Sequence, residues 1–315
     1  MPSYQPVVSI IINTHNSIEY LKEALDSAYQ QTYPHVEIMV YDNASTCDVQ
    51  AITKGYERVK YHRSDKFLTL GAARNEALKM AQGELIDFLD SDDVFLPQKL
   101  EKQVPLFANP QVGLVFSNSY TLEKDTTGQW KPTLKFNRPL PSGNLFGPLL
   151  EGYFLCFDTV IFRKSAIGDN PQYWFPEHFN ICTDYDLFLK ISHSFQLCYV
   201  DEALSMWRVH GQNWSIKKAY LDPLERLMMI PRMLEYEPKL FQKYRQEIHT
   251  YLSRIRMGEM DYYWKLNLKR EAVSCAIHVF LVQPSLSHLL KIFFVLFCSF
   301  SQYQKISLSV RQHFP

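Results

Sequence analysis

Short, continuous apolar runs alternate with helix-patterned segments over the first 120 residues of this chain. The first run, VVSIII at 7–12, is rich in β-branched residues, and such a run is typical of a parallel strand buried on both faces. After it, apolar residues recur from Ile18 to Ala28 at the spacing of one helix face. Strands that alternate with helices in this way predict an α/β fold with a mostly parallel sheet flanked by helices.

The same pattern gives bounds for the other elements of this region. We predict strands at 7–12, 36–42, 59–64, 84–90 and 112–119, and helices at about 18–28, 46–57, 71–82 and 97–107. Asn16, followed by Glu19 three residues later, is a candidate N-terminal cap for the first helix. Gly83 is the residue type that commonly follows a helix end.

The pattern is less regular after residue 120. Residues 121–150 are richer in Pro, Gly, Thr and Lys and predict a long irregular excursion. The elements predicted next are a strand at 159–165, a helix at 184–195 capped by Thr183, and extended chain at 199–211. After about residue 215 the sequence becomes amphipathic helix, with a helix pair over 257–294 that is broken at Pro284.

Polar clusters follow three of the predicted strands, at the point where each strand ends. They are NTHN at 13–16, DNAS at 42–45 and DSDD at 90–93, and we call them together the polar edge. The carboxyl ends of parallel strands meet at one edge of a sheet, and ligands of such sheets bind there. We therefore expect the three clusters to form one site.

The DSDD cluster places three carboxylates within four positions, where they repel one another unless a cation neutralises them. Oxygen ligands of this kind suit Mg²⁺ or Mn²⁺. Mg²⁺ usually takes one or two protein carboxylates and completes its shell with water and phosphate oxygens. The cluster therefore predicts a metal-bound phosphate ligand, and a solvated turn is the alternative.

Other polar residues suit a nucleotide at the same edge. Asp42 and Asn43 can read the hydrogen-bonding edge of a base, and Arg74 near a helix start can neutralise phosphate. Each also has a structural interpretation, since Asn16 and Ser45 can cap helices and Arg74 can form a surface ion pair. Their convergence on one edge favours the binding interpretation.

Composition excludes several classes of protein. The chain has 33 basic and 33 acidic residues among 315, without the basic excess of a nucleic-acid-binding protein. Its six cysteines form no CxxC pair, which favours free thiols over a disulfide framework or a zinc site.

The sequence contains no HExxH, GxxxxGK[ST] or GxGxxG motif. The N-terminal run lacks a basic segment before it and predicts a strand, not a signal peptide.

Residues 8–45 and 71–104 together resemble the nucleotide-binding half of family 2 glycosyltransferases with the GT-A fold, and the resemblance resumes at 183–192 and 199–215. It implies a GT-A domain over 1–215. Within that domain, 1–120 would be the nucleotide-sugar-binding half and 121–215 the acceptor half with the catalytic base. Residues 216–315 would form a C-terminal α-helical extension.

The resemblance also implies roles for individual residues. The implied nucleotide-sugar contacts are Asn13, Thr14, His15, Asp42, Asn43, Arg74, Asp90, Ser91, Arg208 and His210. Asp90-Ser91-Asp92 would be the DXD motif and metal site, with Asp92 as direct ligand and Asp90 on the ribose or on metal-bound water. Asp184 would be the general base, with Asp186 as its rival.

Further roles concern the nucleoside and the diphosphate. Asn13, Thr14 and His15 would line the nucleoside pocket, and Asp42 and Asn43 would contact the base. Arg74 would approach the diphosphate, over which a loop carrying Arg208 and His210 would close.

The chain departs from the family pattern at three positions. Asn13 stands where Pro or Thr is usual, and His15 stands where Tyr is usual, which removes an aromatic face for stacking on the base. Thr183 stands where Glu often precedes the catalytic Asp. These departures affect the identity of the donor more than the fold.

The activity implied is an inverting glycosyltransferase that uses Mn²⁺ or Mg²⁺. It would move a sugar from a UDP- or dTDP-sugar to a saccharide or lipid-linked acceptor in surface polysaccharide assembly. A metal-dependent nucleotidyl- or phosphotransferase, or a non-catalytic nucleotide-sugar-binding scaffold, are the alternatives. We expect no nucleic-acid partner and a cytoplasmic location.

The C-terminal region leaves three alternatives open: packing on the catalytic domain, a homodimer contact, or peripheral contact with the inner face of the plasma membrane. Lys291, Lys305 and Arg311 lie among Phe and Leu residues there, a composition that suits a membrane surface. The most apolar stretch, 289–300, is interrupted by Lys291 and is shorter than the roughly 20 residues that a spanning helix needs.

Overall fold

A computed structural model describes residues 4–170, 174–282 and 284–305 of the chain. The chain divides into two compact units, one of residues 1–149 with 153–213 and the other of residues 150–152 with 214–315.

The first unit is built on a mixed β-sheet. Its strands are β1 (Val8–Thr14), β2 (Val36–Asp42), β3 (Val59–Arg63), β4 (Leu85–Asp90), β5 (Val94–Phe95), β6 (Val112–Lys124), β7 (Trp130–Leu134), β8 (Ile161–Arg163) and β9 (Gln196–Arg208). The order across the sheet is β3-β2-β1-β4-β8-β6-β9-β5, and β7 pairs with β6. The α/β prediction is confirmed, although β8, β5 and β7 pair antiparallel with their neighbours.

Helices connect the strands and continue to the C-terminus. They are α1 (Leu21–Tyr29), α2 (Val49–Thr53), α3 (Leu70–Met80), α4 (Lys99–Gln103), α5 (Phe146–Glu151), α6 (Thr183–Ser194), α7 (Trp214–Lys217), α8 (Asp222–Tyr236), α9 (Leu240–Lys243), α10 (Arg245–Lys265), α11 (Lys269–Val282) and α12 (Leu286–Phe297).

β1 shows why the apolar runs become central strands. Ile10, Ile11 and Ile12 are fully buried although successive side chains point to opposite faces of the sheet. Full burial of one such side chain stabilises the fold by about 1.5–3 kcal/mol. Parallel pairing with β2 on one side and β4 on the other then fixes the position of the strand end.

The predicted cap at Asn16 is wrong. Helix α1 begins later, and Tyr20 occupies its N-cap position. Asn16 adopts a left-handed backbone conformation with φ of 51°, and its side-chain oxygen accepts a hydrogen bond from Thr46 N–H at 2.7 Å. Its own N–H donates to the Ser45 hydroxyl at 2.9 Å. Asn16 therefore ties the ends of β1 and β2 together.

Gly83 has a different role from the predicted helix cap. Its backbone is not left-handed, and a Cβ added there would lie 2.6 Å from the backbone nitrogen of Ser9 in β1. The glycine thus permits close approach to β1, and its N–H donates to the Ser9 hydroxyl at 2.8 Å.

The predicted irregular excursion at 121–150 is wrong over its first part. Strand β6 continues to Lys124 and forms a hairpin with β7, with Tyr120 opposite Leu134. The residues of β7 are exposed or half-buried, so the strand lacks the apolar run that would have revealed it.

The predicted cap at Thr183 is also wrong. Thr183 is the first residue of α6, and Cys182 occupies the N-cap position. The Thr183 hydroxyl instead contacts a side chain from α3, which is described below.

The second unit is helical, as predicted. Helix α11 ends before Pro284, and helix α12 begins after it. Helices α10, α11 and α12 share a small core formed by Met260, Trp264, Ala272, Cys275, Ala276 and Val295. One face of α12 is exposed and apolar, and it consists of Leu286, Leu289, Leu290, Phe293, Leu296 and Phe297.

None of the helices described in the structure combines the length and the apolar character needed to cross a bilayer. Lys291 and Lys305 lie within the described residues, whereas Arg311 lies outside them.

Candidate functional site

The polar ends of β1, β2 and β4 lie side by side at one edge of the sheet. Thr14 is in register with Asp42 of β2, and Asn13 is in register with Asp90 of β4. The structure therefore brings the three clusters of the polar edge together.

Asp42 is fully buried, and its carboxylate is already hydrogen-bonded within the chain. One oxygen accepts from Ser45 N–H at 2.8 Å. The other accepts from the Tyr61 hydroxyl at 2.7 Å and from the Arg63 guanidinium at 3.3 Å. A buried charge needs partners of this kind. Asp42 thus fixes the turn after β2, and its contact with a base stays a prediction.

Asn43 holds the segment between β3 and α3 in place. Its amide nitrogen donates to the Leu68 carbonyl at 2.9 Å, and its amide oxygen accepts from Leu68 N–H at 2.9 Å. The Asn43 backbone carbonyl accepts a hydrogen bond from His15 Nδ1 at 2.7 Å. Asn43 therefore connects the ends of β1 and β2 with residues 64–69.

His15 is exposed and stands beside an exposed aromatic ring. The ring centroids of His15 and Phe67 are 4.5 Å apart, and Phe67 is 56% exposed. Because a carbonyl can only accept, the proton of the imidazole sits on Nδ1, and Nε2 accepts from the Asn16 amide at 3.1 Å. Sequence reasoning missed Phe67 because its segment has no strand or helix pattern.

Asn13 carries an amide whose nitrogen and oxygen are both buried and have no hydrogen-bond partner among the residues that the structure describes. Leaving a buried polar group unpaired costs about 1–3 kcal/mol. A polar ligand or an ordered water at the polar edge would remove this cost. The neighbouring Thr14 is satisfied, since its hydroxyl donates to the Ser17 carbonyl at 3.0 Å.

Arg74 is buried in the first turns of α3 and bridges two parts of the site. Its guanidinium donates to the Asp90 carboxylate at 3.2 Å and to the Thr183 hydroxyl at 2.7 Å. It also lies over the Phe157 ring, 3.7 Å from the centroid. Arg74 is only 4% exposed, which excludes the surface ion pair. Because Thr183 directly precedes Asp184, Arg74 connects the DSDD cluster with the start of α6.

The Asp90 side chain is 40% exposed, and protein atoms surround its carboxylate on the remaining sides. Loss of hydration has the largest effect on its pKa, the positive charge of Arg74 opposes that effect, and the negative charge of Asp92 adds to it. Together they raise the pKa of Asp90 to about 6. A cation placed next to it would favour the charged form.

Asp92 faces the chain that follows β9. His210 Nε2 lies 2.8 Å from its Oδ2, and the Asn213 amide donates to the same oxygen at 3.4 Å. Gln212 N–H donates to His210 Nδ1 at 3.1 Å, so Nε2 is the nitrogen that donates to Asp92. Ser91, between the two aspartates, is buried.

Arg208 is buried at the end of β9, and its backbone N–H, Nε and Nη2 donate to groups of the chain itself. Its Nε donates to the backbone carbonyl of Asp92 at 2.9 Å, and Nη2 donates to Glu23 at 2.6 Å. Its N–H donates to the carboxylate of Asp93 at 2.8 Å, and burial raises the pKa of Asp93 well above its usual value. Arg208 thus fastens the end of β9 to the DSDD cluster, and its contact with a diphosphate stays a prediction.

Asp184 lies in the first turn of α6, and the Tyr153 hydroxyl donates to its Oδ2. Burial raises the pKa of Asp184 above its usual value, while the charge of Arg74, the Tyr153 hydroxyl and the N–H groups of the helix start act in the opposite direction. Asp186 is only 5% exposed, whereas Asp184 is half-buried and more accessible to a ligand. Sequence reasoning missed Tyr153, which lies in a stretch without a recognisable motif.

The donor set at the DSDD cluster fits a divalent cation. Asp92 and Asp90 offer hard carboxylate oxygens, and one or two such ligands are typical of Mg²⁺. His210 donates from Nε2 to Asp92 and accepts at Nδ1, so in this arrangement it orients the carboxylate and offers no free nitrogen to a metal. Within the described residues, no group of three or more His, Cys, Asp or Glu side chains is placed to hold a metal ion by itself.

The sequence matches the model of the family described as Glycosyl transferase family 2 over residues 9–170. It is similar to a putative teichuronic acid biosynthesis glycosyltransferase, TuaG, of Bacillus subtilis, with 31% identity over 69% of this chain and 85% of that protein. It is also similar to a UDP-Glc:alpha-D-GlcNAc-diphosphoundecaprenol beta-1,3-glucosyltransferase, WfaP, of Escherichia coli. That identity is 29%, over 67% of this chain and 81% of WfaP. The match spans about 65% of the length of curated relatives from Rickettsia typhi and Rickettsia prowazekii.

The fold resembles that of S. aureus TarS, residues 1–349. The TM-score is 0.62 at 20% identity, and the alignment covers 98% of this chain and 92% of that one. A crystal structure of the same TarS fragment in complex with UDP-GlcNAc aligns with a TM-score of 0.61. The predicted GT-A fold with a helical C-terminal region is thereby confirmed. With the family model covering half of the chain and TuaG above 30% identity, this protein belongs to glycosyl transferase family 2.

Proposed function

We propose that this protein is an inverting, metal-dependent glycosyltransferase that uses a nucleotide-diphosphate sugar. The observation that carries the proposal is that the candidate phosphate-binding residues lie close to the candidate general base, Asp184. Arg74 contacts both Asp90 of the DSDD cluster and Thr183, the residue before Asp184. A sugar bound through its diphosphate at the cluster would therefore lie near the carboxylate that activates the acceptor.

The nucleotide is proposed to bind along the polar edge next to His15. The rings of His15 and Phe67 form an exposed aromatic pair, and bases stack readily on such side chains. Phe67 would supply the aromatic face that a tyrosine at position 15 would otherwise offer. UDP-sugars are favoured and dTDP-sugars are the alternative, because TarS binds UDP-GlcNAc and the name of WfaP specifies UDP-Glc.

Asp92 and Asp90 would hold Mn²⁺ or Mg²⁺, and His210 would orient Asp92 through the hydrogen bond from its Nε2. The cation would supply positive charge to the diphosphate as it leaves. Arg74 adds a fixed positive charge through its contact with Asp90.

Asp184 is proposed to take the proton from the acceptor hydroxyl as that oxygen attacks the anomeric carbon. A single base on the side opposite the leaving diphosphate gives inversion at that carbon. Because the base must be unprotonated, the rate should fall as the pH drops through the pKa of Asp184, which burial places above its usual value.

The acceptor is proposed to be a saccharide or a lipid-linked saccharide in surface polysaccharide assembly. The name of TuaG refers to teichuronic acid, and the name of WfaP specifies a diphosphoundecaprenol-linked acceptor. The protein would then work in the cytoplasm. The exposed apolar face of α12 suits either peripheral membrane contact or a homodimer interface.

Calorimetric titration with UDP, dTDP, GDP and CDP, each with and without Mn²⁺, tests the proposal. We expect metal-dependent binding of UDP or dTDP, followed by sugar transfer from the corresponding donor. Absence of binding to all four nucleotides contradicts it. Transfer of phosphate or nucleotide in place of the sugar would show a phosphotransferase or nucleotidyltransferase.

A further inference from the structure

Tyr153 and Asp184 form a half-buried hydrogen-bonded pair at the start of α6. The Tyr153 hydroxyl donates to Asp184 Oδ2 from a segment 31 residues earlier in the chain. We infer that Tyr153 is the positioning residue of Asp184, because its hydroxyl fixes the carboxylate and favours the charged form that accepts a proton. The inference rests on the proposed role of Asp184 as the base.

The Tyr153 ring is held in place by a second tyrosine. Its centroid lies 4.3 Å from that of Tyr185, with an angle of 31° between the ring planes. Tyr185 is 2% exposed, and its hydroxyl donates to the Leu149 carbonyl at 2.7 Å. A fixed ring aims the Tyr153 hydroxyl at one place, so the hydrogen bond restricts the rotation of the Asp184 carboxylate.

The Tyr153 hydroxyl also remains a donor throughout the working pH range. Burial and the negative charge of Asp184 raise the pKa of Tyr153 well above 10. A protonated hydroxyl next to a carboxylate stabilises its charged form and so lowers the pKa of Asp184. The hydrogen bond therefore opposes the effect of burial and keeps the base ionised at lower pH.

The proposed step needs Asp184 only as a proton acceptor. The acceptor O–H bond breaks as an O–H bond forms on the Asp184 carboxylate. The acceptor oxygen bonds to the anomeric carbon as the bond to the diphosphate breaks.

Tyr153→Phe tests the inference, because it removes the hydroxyl and keeps the ring against Tyr185. A hydrogen bond to a charged group contributes more than one between neutral groups, so we expect kcat to fall about tenfold or more, with the KM for the donor unchanged. The acid limb of the pH–rate profile should move to higher pH. An unchanged kcat together with an unchanged acid limb would overturn the inference.

Tyr56→Phe is the matched control. The Tyr56 hydroxyl donates to the Asp26 carboxylate at 2.5 Å, on α1 and away from the site, so this variant loses the same type of hydrogen bond. It should keep the rate and the pH profile of the unmodified protein. Tyr153→His retains a donor on a ring and should keep more activity than Tyr153→Phe. Full activity in Tyr153→Phe together with a loss in Tyr153→His would overturn the inference, because the packing of the ring and not its hydroxyl would then support Asp184.

A measurement without turnover separates this inference from the proposed function. ¹³C NMR of aspartate carboxyl groups, with the Asp184 signal assigned through Asp184→Asn, reports the pKa directly. We expect a higher Asp184 pKa in Tyr153→Phe than in the unmodified protein. A higher pKa in a protein that transfers no sugar would refute the proposed function alone. Sugar transfer with an unchanged Asp184 pKa would refute the positioning role alone.

Discussion

The polar edge and Asp184, the proposed general base in α6, differ in how their side chains are held. Asp42 at the polar edge and Arg208 at the adjoining end of β9 are each fixed by several hydrogen bonds from different strands and loops. Asp184 depends on the start of its own helix and on the Tyr153 hydroxyl. The difference suggests that a single substitution changes the base sharply, whereas the edge keeps its shape when one contact is lost.

The largest effect is expected on nucleotide binding, from substitution of the proposed metal ligand Asp92. Asp92→Ala removes the carboxylate nearest His210, so metal-dependent nucleotide binding should be lost in calorimetric titration with UDP and Mn²⁺. Asp125→Ala removes a carboxylate from the exposed turn between β6 and β7 and is the control, with unchanged UDP binding expected. Equal UDP affinity in Asp92→Ala and the unmodified protein would contradict the assigned metal role.

The next largest effect is expected at the base. Asp184→Asn should lower kcat by about 10²-fold or more, since a general base typically contributes that much, while UDP affinity stays the same. Asp186→Asn is the comparison that separates the two candidate bases. A larger loss of kcat in Asp186→Asn than in Asp184→Asn would reverse the assignment.

A smaller effect is expected at the aromatic pair. Phe67→Ala should weaken UDP binding roughly tenfold, because stacking of one base contributes about 1–3 kcal/mol. Leu134→Ala, a substitution of an exposed apolar residue on β7, provides the control and should leave binding unchanged. If both variants bind UDP like the unmodified protein, the uracil ring does not stack on Phe67.

The last effect in this order concerns stability and is expected at Asn43. Asn43→Ala leaves the Leu68 N–H and carbonyl without their side-chain partner, and the free energy of unfolding should fall by about 1–3 kcal/mol. Urea denaturation measures this change. Loss of UDP binding without loss of stability would show instead that Asn43 contacts the ligand directly.

The sequence predicted the polar edge because the signal there is local. Each cluster directly follows an apolar run, and parallel pairing of β1 with β2 and β4 places the run ends together. The resemblance to the family added the positions of Asp92 and Asp184, which the strand pattern alone did not distinguish from solvated turns.

The contacts that sequence reasoning missed join segments far apart in the chain. Tyr153 reaches Asp184 across 31 residues, and Phe67 contacts His15 from a segment that Asn43 bonds to through Leu68. The cap predicted at Asn16 failed for the same reason, since hydrogen bonds to the end of β2 replaced the local capping bond. Local patterns carry no information about such pairings.

The bond between the Leu68 N–H and the Asn43 side chain makes one backbone amide an internal reporter. Leu68 lies outside any helix or strand, and its amide proton is bonded to the side-chain oxygen of Asn43. The exchange of this proton with deuterium therefore reports the opening of that one hydrogen bond. A nucleotide that orders residues 64–69 would slow the exchange at Leu68 more than the exchange in β1 or β2. Occupancy of the proposed nucleotide site could then be followed from one amide signal, without any labelled substrate.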